Sequence, residues 1–234
     1  MGKIFAIGDI HGCRDLLEKL LKQPKIDPLD DTLVFVGDYI DRGPDSKGVV
    51  DRLIRLQEEY RQVVFLQGNH EGLFLDYYFR GKEERFFANG GLATIASYRT
   101  EKRFSPGEPT DESLACHFGV AKPQQESRGD LLLPEGHLDF FHSLLPFFET
   151  DDYYFVHAGI RPEIGLADQH IDDLTWIRNE FVHSPSLFPK TVVFGHTVFP
   201  EPFIRRDRIG IDTGAVFGGK LTCLELPAMK FYQA

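Results

Sequence analysis

Short apolar runs, each closed by glycine and polar side chains, recur along the chain. Lys3-Ile4-Phe5-Ala6-Ile7 leads into Gly8-Asp9-Ile10-His11-Gly12. Thr32-Leu33-Val34-Phe35-Val36 leads into Gly37-Asp38-Tyr39-Ile40-Asp41-Arg42-Gly43, and Val63-Val64-Phe65-Leu66 into Gly68-Asn69-His70-Glu71-Gly72. Each run reads as a buried strand. After each tip the hydrophobic period turns helical. Leu16, Leu17, Leu20 and Leu21 mark a helix over 13–22 that Pro24 stops, and Val49, Val50, Leu53, Ile54 and Leu56 mark one over 46–60 with Ser46 as its N-cap. Leu73, Phe74 and Tyr77 mark a third. Three successive strand–loop–helix units predict an α/β architecture with a largely parallel start.

Residues 85–98 continue the helical pattern, but Asn89-Gly90-Gly91 should break it, since two glycines inside a helix cost about 2 kcal/mol relative to alanine. From Thr100 to Leu133 the chain is polar, rich in Pro, Gly, Ser and Glu, and without periodicity. A segment of that length inside one domain reads as a lid, a binding loop or an insertion. Pro134 to Phe148 is expected to be partly helical, with Leu138, Phe141, Leu144 and Leu145 on one face. Strands dominate afterwards: Tyr153–Val156 ends in His157-Ala158-Gly159, Thr191–Phe194 in Gly195-His196-Thr197, and Ile209–Ile211 in Asp212-Thr213-Gly214, before Lys220–Leu226. This half predicts a second sheet packed on the first, with helices outside, in one domain spanning 1–234.

Composition narrows the function. A net charge of −10 without a basic stripe argues against nucleic acid as a partner. No apolar run approaches the ~20 residues of a membrane span, and Asp9 interrupts the first one too early for a signal peptide. Cys13, Cys116 and Cys223 are too widely spaced for a disulfide framework or a thiolate zinc site, which suits a reduced, cytoplasmic setting.

The chemistry lies at the strand tips. Asp9, His11, Asp38, Asn69, His70, His157 and His196 each follow an apolar strand and stand near a glycine. Carboxylate, carboxamide and imidazole together suit a divalent first-row metal such as manganese, iron or zinc. Alternate side chains of an extended backbone point the same way, so Asp9 and His11 can converge on one ion. Asp38 could bridge two ions about 3.5–4 Å apart. A single histidine after a strand is more often an ordinary core or surface residue, and His117, His137, His142, His170 and His183 are read so. Burying the other polar groups at one sheet edge without an ion would be costly.

The three tips, in order, resemble the signature motifs of the phosphoprotein phosphatase (PPP) family of calcineurin-like metallophosphoesterases, most closely its small bacterial and phage serine/threonine phosphatases. His157-Ala158-Gly159 and Gly195-His196 match the family's later histidine motifs. The resemblance spans roughly residues 3–226. It implies a calcineurin-like fold of two packed sheets flanked by helices. It implies two divalent ions, one on Asp9, His11 and Asp38, the other on Asp38, Asn69, His157 and His196. It makes His70 the general acid, oriented by Asp41, and makes Arg42 a grip for phosphate. Arg178, after Trp176, matches the family's second phosphate-gripping arginine more loosely.

The implied reaction is in-line attack on phosphorus by a metal-bridging hydroxide, made available because metal ions lower the pKa of water to about 7. Phosphorylated proteins are the expected substrates and manganese the expected metal. The nearest rival within the resemblance is a symmetrical diadenosine tetraphosphate hydrolase. In that group the position of Asp41 is typically not Asp and the position of Glu71 is typically Asp, so both residues point to a protein phosphatase. Two further readings carry less: Cys13 as a nucleophile, against its place at a helix start, and a metal-free binding protein on the same fold, against the intact ligand set.

Overall fold

A computed structural model describes residues 2–99 and 131–234. The expected access-shaping segment at 100–133, with Cys116 and His117, lies outside the described residues except for 131–133.

The first three strands are β1 (Ile4–Ile7), β2 (Thr32–Phe35) and β3 (Gln62–Phe65), the first two one residue shorter than the sequence expectation and the third shifted by one. Between them run α1 (Arg14–Leu21) and α2 (Ser46–Glu59), followed by α3 (Asn69–Arg80), α4 (Glu83–Ala88) and α5 (Gly91–Arg99). The break between α4 and α5 falls at Asn89-Gly90, as the glycines require. The N-cap of α2 is Asp45, not Ser46: its carboxylate accepts from the Gly48 N–H at 2.8 Å, while Ser46 is the first helical residue.

The rest comprises α6 (His137–His142), β4 (Phe147–Glu149), β5 (Tyr153–Val156), α7 (Ile171–Trp176), α8 (Asn179–Val182), β6 (Thr191–Phe194), β7 (Phe203–Arg205), β8 (Arg208–Gly210), β9 (Asp212–Thr213), β10 (Lys220–Leu226) and β11 (Lys230–Gln233). Around α6 His137, Phe140, Phe141 and Leu144 are buried, whereas Leu138 is half-buried and Leu145, beyond the end of the helix, is exposed.

Among the described residues one sheet runs β11-β10-β1-β2-β3 with β9 on β10, and the other β4-β5-β6-β8-β7. The first half is parallel as expected, β1 to β2 and β2 to β3. The second half does not form the second sheet alone: β10 returns to pair antiparallel with β1, and β11 with β10.

Side-chain alternation explains the layering. Phe5 and Ile7 of β1 and Leu33 and Phe35 of β2 face the helices, while Ala6 and Val34 face the other sheet. On the second sheet, Phe155 and Val193 point to the first, and Tyr154, Val156, Val192 and Phe194 point outward to Leu174 and Phe181 of α7 and α8. Two-faced burial gives continuous apolar runs instead of a polar–apolar alternation. The result is helices, two packed sheets, and helices again. Both sheets aim the C-terminal ends of their parallel strands at one edge, where such architectures place ligands. No described helix is long and apolar enough to cross a membrane.

Candidate metal centre

Five strand ends meet at that edge. Asp9 and His11 follow β1, Asp38 follows β2, Asn69 and His70 open α3 after β3, His157 follows β5, and His196 follows β6. All seven are buried.

The backbone there is forced. His11, Asp38, Asp41, Arg42 and His196 have φ of 45°, 54°, 70°, 66° and 60°, the left-handed region that non-glycine residues seldom enter. Such conformations cost about 1–3 kcal/mol each and persist where the surroundings hold them, typically at functional sites. His11 is therefore not aimed by extended-strand alternation; a left-handed turn aims it. Two glycines make room. At Gly37, φ +108°, an added Cβ would lie 2.8 Å from His157 Nδ1, and at Gly68 it would lie 2.2 Å from Asp38 Oδ1.

Asp38 sits at the middle. Its Oδ2 is 3.4 Å from His11 Nε2, and its Oδ1 is 3.3 Å from His157 Nε2. His11 Nδ1 and His157 Nδ1 bond the backbone carbonyls of Ile40 and Val36 at 2.8 and 2.9 Å. With those nitrogens donating, each ring turns an Nε2 lone pair inward. Asn69 Oδ1 lies 3.0 Å from His157 Nε2. The potential ligand atoms of Asp38, His157 and His196 lie within 4.8 Å of one another, as do those of His11, Asp38 and His70. Asp9 is in neither cluster. Its Oδ2 accepts the His196 N–H at 2.9 Å, which ties the ends of β1 and β6 together.

The donor set fits divalent cations. Asp9 Oδ1 and His196 Nε2 are buried without a hydrogen-bond partner, an arrangement that a bound ion would satisfy. Burial keeps His11 and His196 neutral, lowering them to about 3 and about 2 despite the nearby carboxylate. Burial also opposes charge on Asp38, but His157, His70 and His11 hold its carboxyl well below the usual range. Asp9 goes the other way: burial, then Asp212 and Asp38, push it well above its ordinary value. Several buried carboxylates and neutral imidazoles at one point are what a pair of cations would neutralise.

Beside this centre His70 Nδ1 meets Asp41 Oδ2 at 2.6 Å. Burial raises Asp41 to about 8 and lowers His70 to about 4. Arg42 is exposed, and its Nη1 is 2.5 Å from His11 Nε2. Arg178 is exposed, donates from Nη1 to the His196 carbonyl at 2.7 Å, and lies close enough to act electrostatically on His70 and His196. Cys13 stands at the N-cap of α1, and burial raises its thiol, the wrong direction for a nucleophile.

A calcineurin-like phosphoesterase family model matches residues 2–203. The chain belongs to the calcineurin-like phosphoesterase family. Among relatives, this phosphoesterase is 29% identical over 256 residues, 94% of its length and 93% of the other, to a symmetrical bis(5'-nucleosyl)-tetraphosphatase of Vibrio cholerae. It is 43% identical to serine/threonine-protein phosphatase 1 of Salmonella typhimurium, but over 88 residues, 38% of each chain. Among solved structures, a putative diadenosine tetraphosphatase superposes with a TM-score of 0.68 at 25% identity, covering all of this chain and 93% of that one.

Sequence reasoning missed three supports of this phosphoesterase site. Glu71 accepts the N–H groups of Asp38, Tyr39 and Gly68 at 3.0, 2.8 and 3.0 Å. Thr94 of α5 donates to Asp41 Oδ1 at 2.6 Å and also accepts the Asp41 N–H. Asp212 is buried next to Asp9 and accepts the Gly214 N–H at 3.0 Å. Glu71 and Asp212 stand in or beside motifs and were open to detection. Thr94 carries no local signal. His137, read as an ordinary core or surface histidine, belongs to the core: Tyr98 Oη is 2.8 Å from its Nδ1 and Asp51 Oδ1 3.0 Å from its Nε2.

Proposed function

We propose that this phosphoesterase hydrolyses phosphate monoesters of alcohols, foremost phosphoserine and phosphothreonine in proteins. Asp9, His11, Asp38, Asn69, His157 and His196 would hold two divalent cations, for which oxygen and imidazole donors favour manganese, iron or zinc. Bound there, the ions would polarise the phosphoryl group and supply an acidified water.

The chain's own residues do the rest. Arg42 and Arg178 meet the phosphoryl oxygens with planar guanidinium forks, a geometry lysine cannot copy. His70 delivers a proton to the departing oxygen. With one proton held between Asp41 Oδ2 and His70 Nδ1, Nε2 carries the transferable proton, and as it leaves the Asp41 proton moves onto Nδ1. The free cysteines among the described residues, Cys13 and Cys223, suit a reducing cytoplasm.

The buried Asp41–His70 bond carries this reading. A serine alkoxide is a strong base and a poor leaving group, so it needs a proton donor; a nucleotide phosphate leaves readily without one. The second reading, hydrolysis of dinucleoside polyphosphates, draws on the near-full-length likeness to tetraphosphatases. Side-by-side kcat/KM values for phosphoserine, phosphothreonine and phosphotyrosine peptides and diadenosine tetraphosphate, with added manganese, test the two. A preference of more than tenfold for the dinucleotide would overturn the first.

A further inference from the structure

Two of the arginines at this edge serve the reading above. A third, Arg85 on α4, does not. Its guanidinium lies over the Trp176 ring, 4.9 Å from the centroid, and Trp176 stands edge-on to His196 with ring centroids 6.0 Å apart. Arg85 is exposed. Its neighbours Arg80 and Lys82 both pair with Asp76, whereas no carboxylate among the described residues pairs with Arg85. The turn that ends α4 also reaches Arg42, whose N–H donates to the Gly90 carbonyl at 3.2 Å. Guanidinium groups therefore run along one rim: Arg42 on the His11 side, Arg178 on the His196 side, and Arg85 beyond it over Trp176. Background composition works against such a row in a chain of net charge −10. Stacking on an indole restrains the arginine while leaving its in-plane N–H donors free for a bidentate anion.

We propose that Arg85, held against Trp176, forms a second anion subsite that takes a further phosphate of the substrate next to the scissile one. The proposal rests on the reading that Arg42 and Arg178 bind the scissile phosphoryl group. The further phosphate belongs either to a polyphosphate chain or to a neighbouring phosphorylated side chain.

Trp176 is the only tryptophan in the chain, so its fluorescence reports this subsite. Chelator-treated protein is titrated with inorganic phosphate and with inorganic triphosphate. Triphosphate should bind at least about tenfold more tightly, and Arg85→Gln should remove most of that advantage, with Arg85→Lys between the two. Equal affinities for the two anions in the unaltered protein, or a loss in Arg85→Gln that falls equally on both, overturns the subsite. The metal-loaded enzyme then separates the sources. Arg85→Gln should raise KM at least fivefold more for diadenosine tetraphosphate, or for a doubly phosphorylated peptide, than for p-nitrophenyl phosphate. A rise confined to one substrate names the source, and no differential rise on either overturns the proposal. The titration needs no turnover, so a protein inactive on every ester would count against the phosphatase reading while the titration still decided the subsite.

Discussion

Glu71 grips Asp38 from behind: its Oε2 accepts the Asp38 N–H at 3.0 Å, and its Oε1 accepts the Tyr39 N–H at 2.8 Å. The same carboxylate accepts the Gly68 N–H, so one side chain ties the loop after β2 to the turn after β3. Three buried backbone donors thus depend on one acceptor group. Glu71→Gln turns one of the two oxygens into an amide NH2 that faces an N–H. The expected loss is about 1–3 kcal/mol for a buried donor left unpaired, read from urea denaturation at constant m-value. Because the loop carries Asp38, metal affinity should fall too, read by metal analysis after dialysis. A variant as stable as the parent would show that the three N–H groups find water instead.

Asp38→Asn tests the centre itself. Both Asp38 oxygens face imidazole Nε2 atoms, at 3.3 and 3.4 Å, so a neutral amide removes negative charge from both sides at once. The expected result is loss of both metal equivalents and a fall in activity of at least about a hundredfold, by analogy with the tenfold to hundredfold cost of altering even the outer partners of metal ligands. Full metal content with near-parental turnover would remove Asp38 from the bridging position.

Much of this was legible because the fold writes itself into short motifs. The tips at Asp9, Asp38, Asn69–His70, His157 and His196 could be read as one site, since each follows a two-faced strand whose apolar run is unambiguous. What stayed hidden depends on tertiary contact. Thr94 buttresses Asp41 from 53 residues away, a pairing no local period encodes. The return of β10 to β1 was invisible because the antiparallel Leu221–Leu226 run reads like any buried strand, and β7 and β11 are short edge strands with mixed composition. The N-cap shifted by one residue because aspartate and serine compete for the same role at Asp45-Ser46.

Away from the site, Asp51 predicts an acid-side stability effect. Lys47 Nζ lies 3.1 Å from its Oδ2 and His137 Nε2 3.0 Å from its Oδ1. Burial opposes the charge, yet these two partners hold the carboxyl below its ordinary value. A depressed folded value stabilises the protein above the unfolded value of about 3.9 and is lost as pH falls through the folded one. Asp51→Asn should therefore lower the Tm at pH 7 and converge with the parent in strong acid. The difference should stay under about 1 kcal/mol, because the carboxylate is partly exposed and screened. A gap that widened on acidification would reverse the sign and the explanation.

The His70–Asp41 pair makes the sharpest kinetic prediction. If His70 protonates the leaving oxygen, its removal must hurt most where that oxygen is most basic. His70→Asn should slow a phosphoserine peptide by about 10²–10⁴-fold and p-nitrophenyl phosphate far less, because p-nitrophenolate leaves without help. Asp41→Asn should follow the same order with a smaller loss, since the amide still orients the ring but cannot pass its proton to Nδ1. Metal content must be measured alongside, because His70 also stands with His11 and Asp38 among potential ligand atoms. Equal losses on both substrates with metal retained would deny His70 the proton. Equal losses with metal gone would make it a ligand, and the leaving group would then draw its proton from solvent.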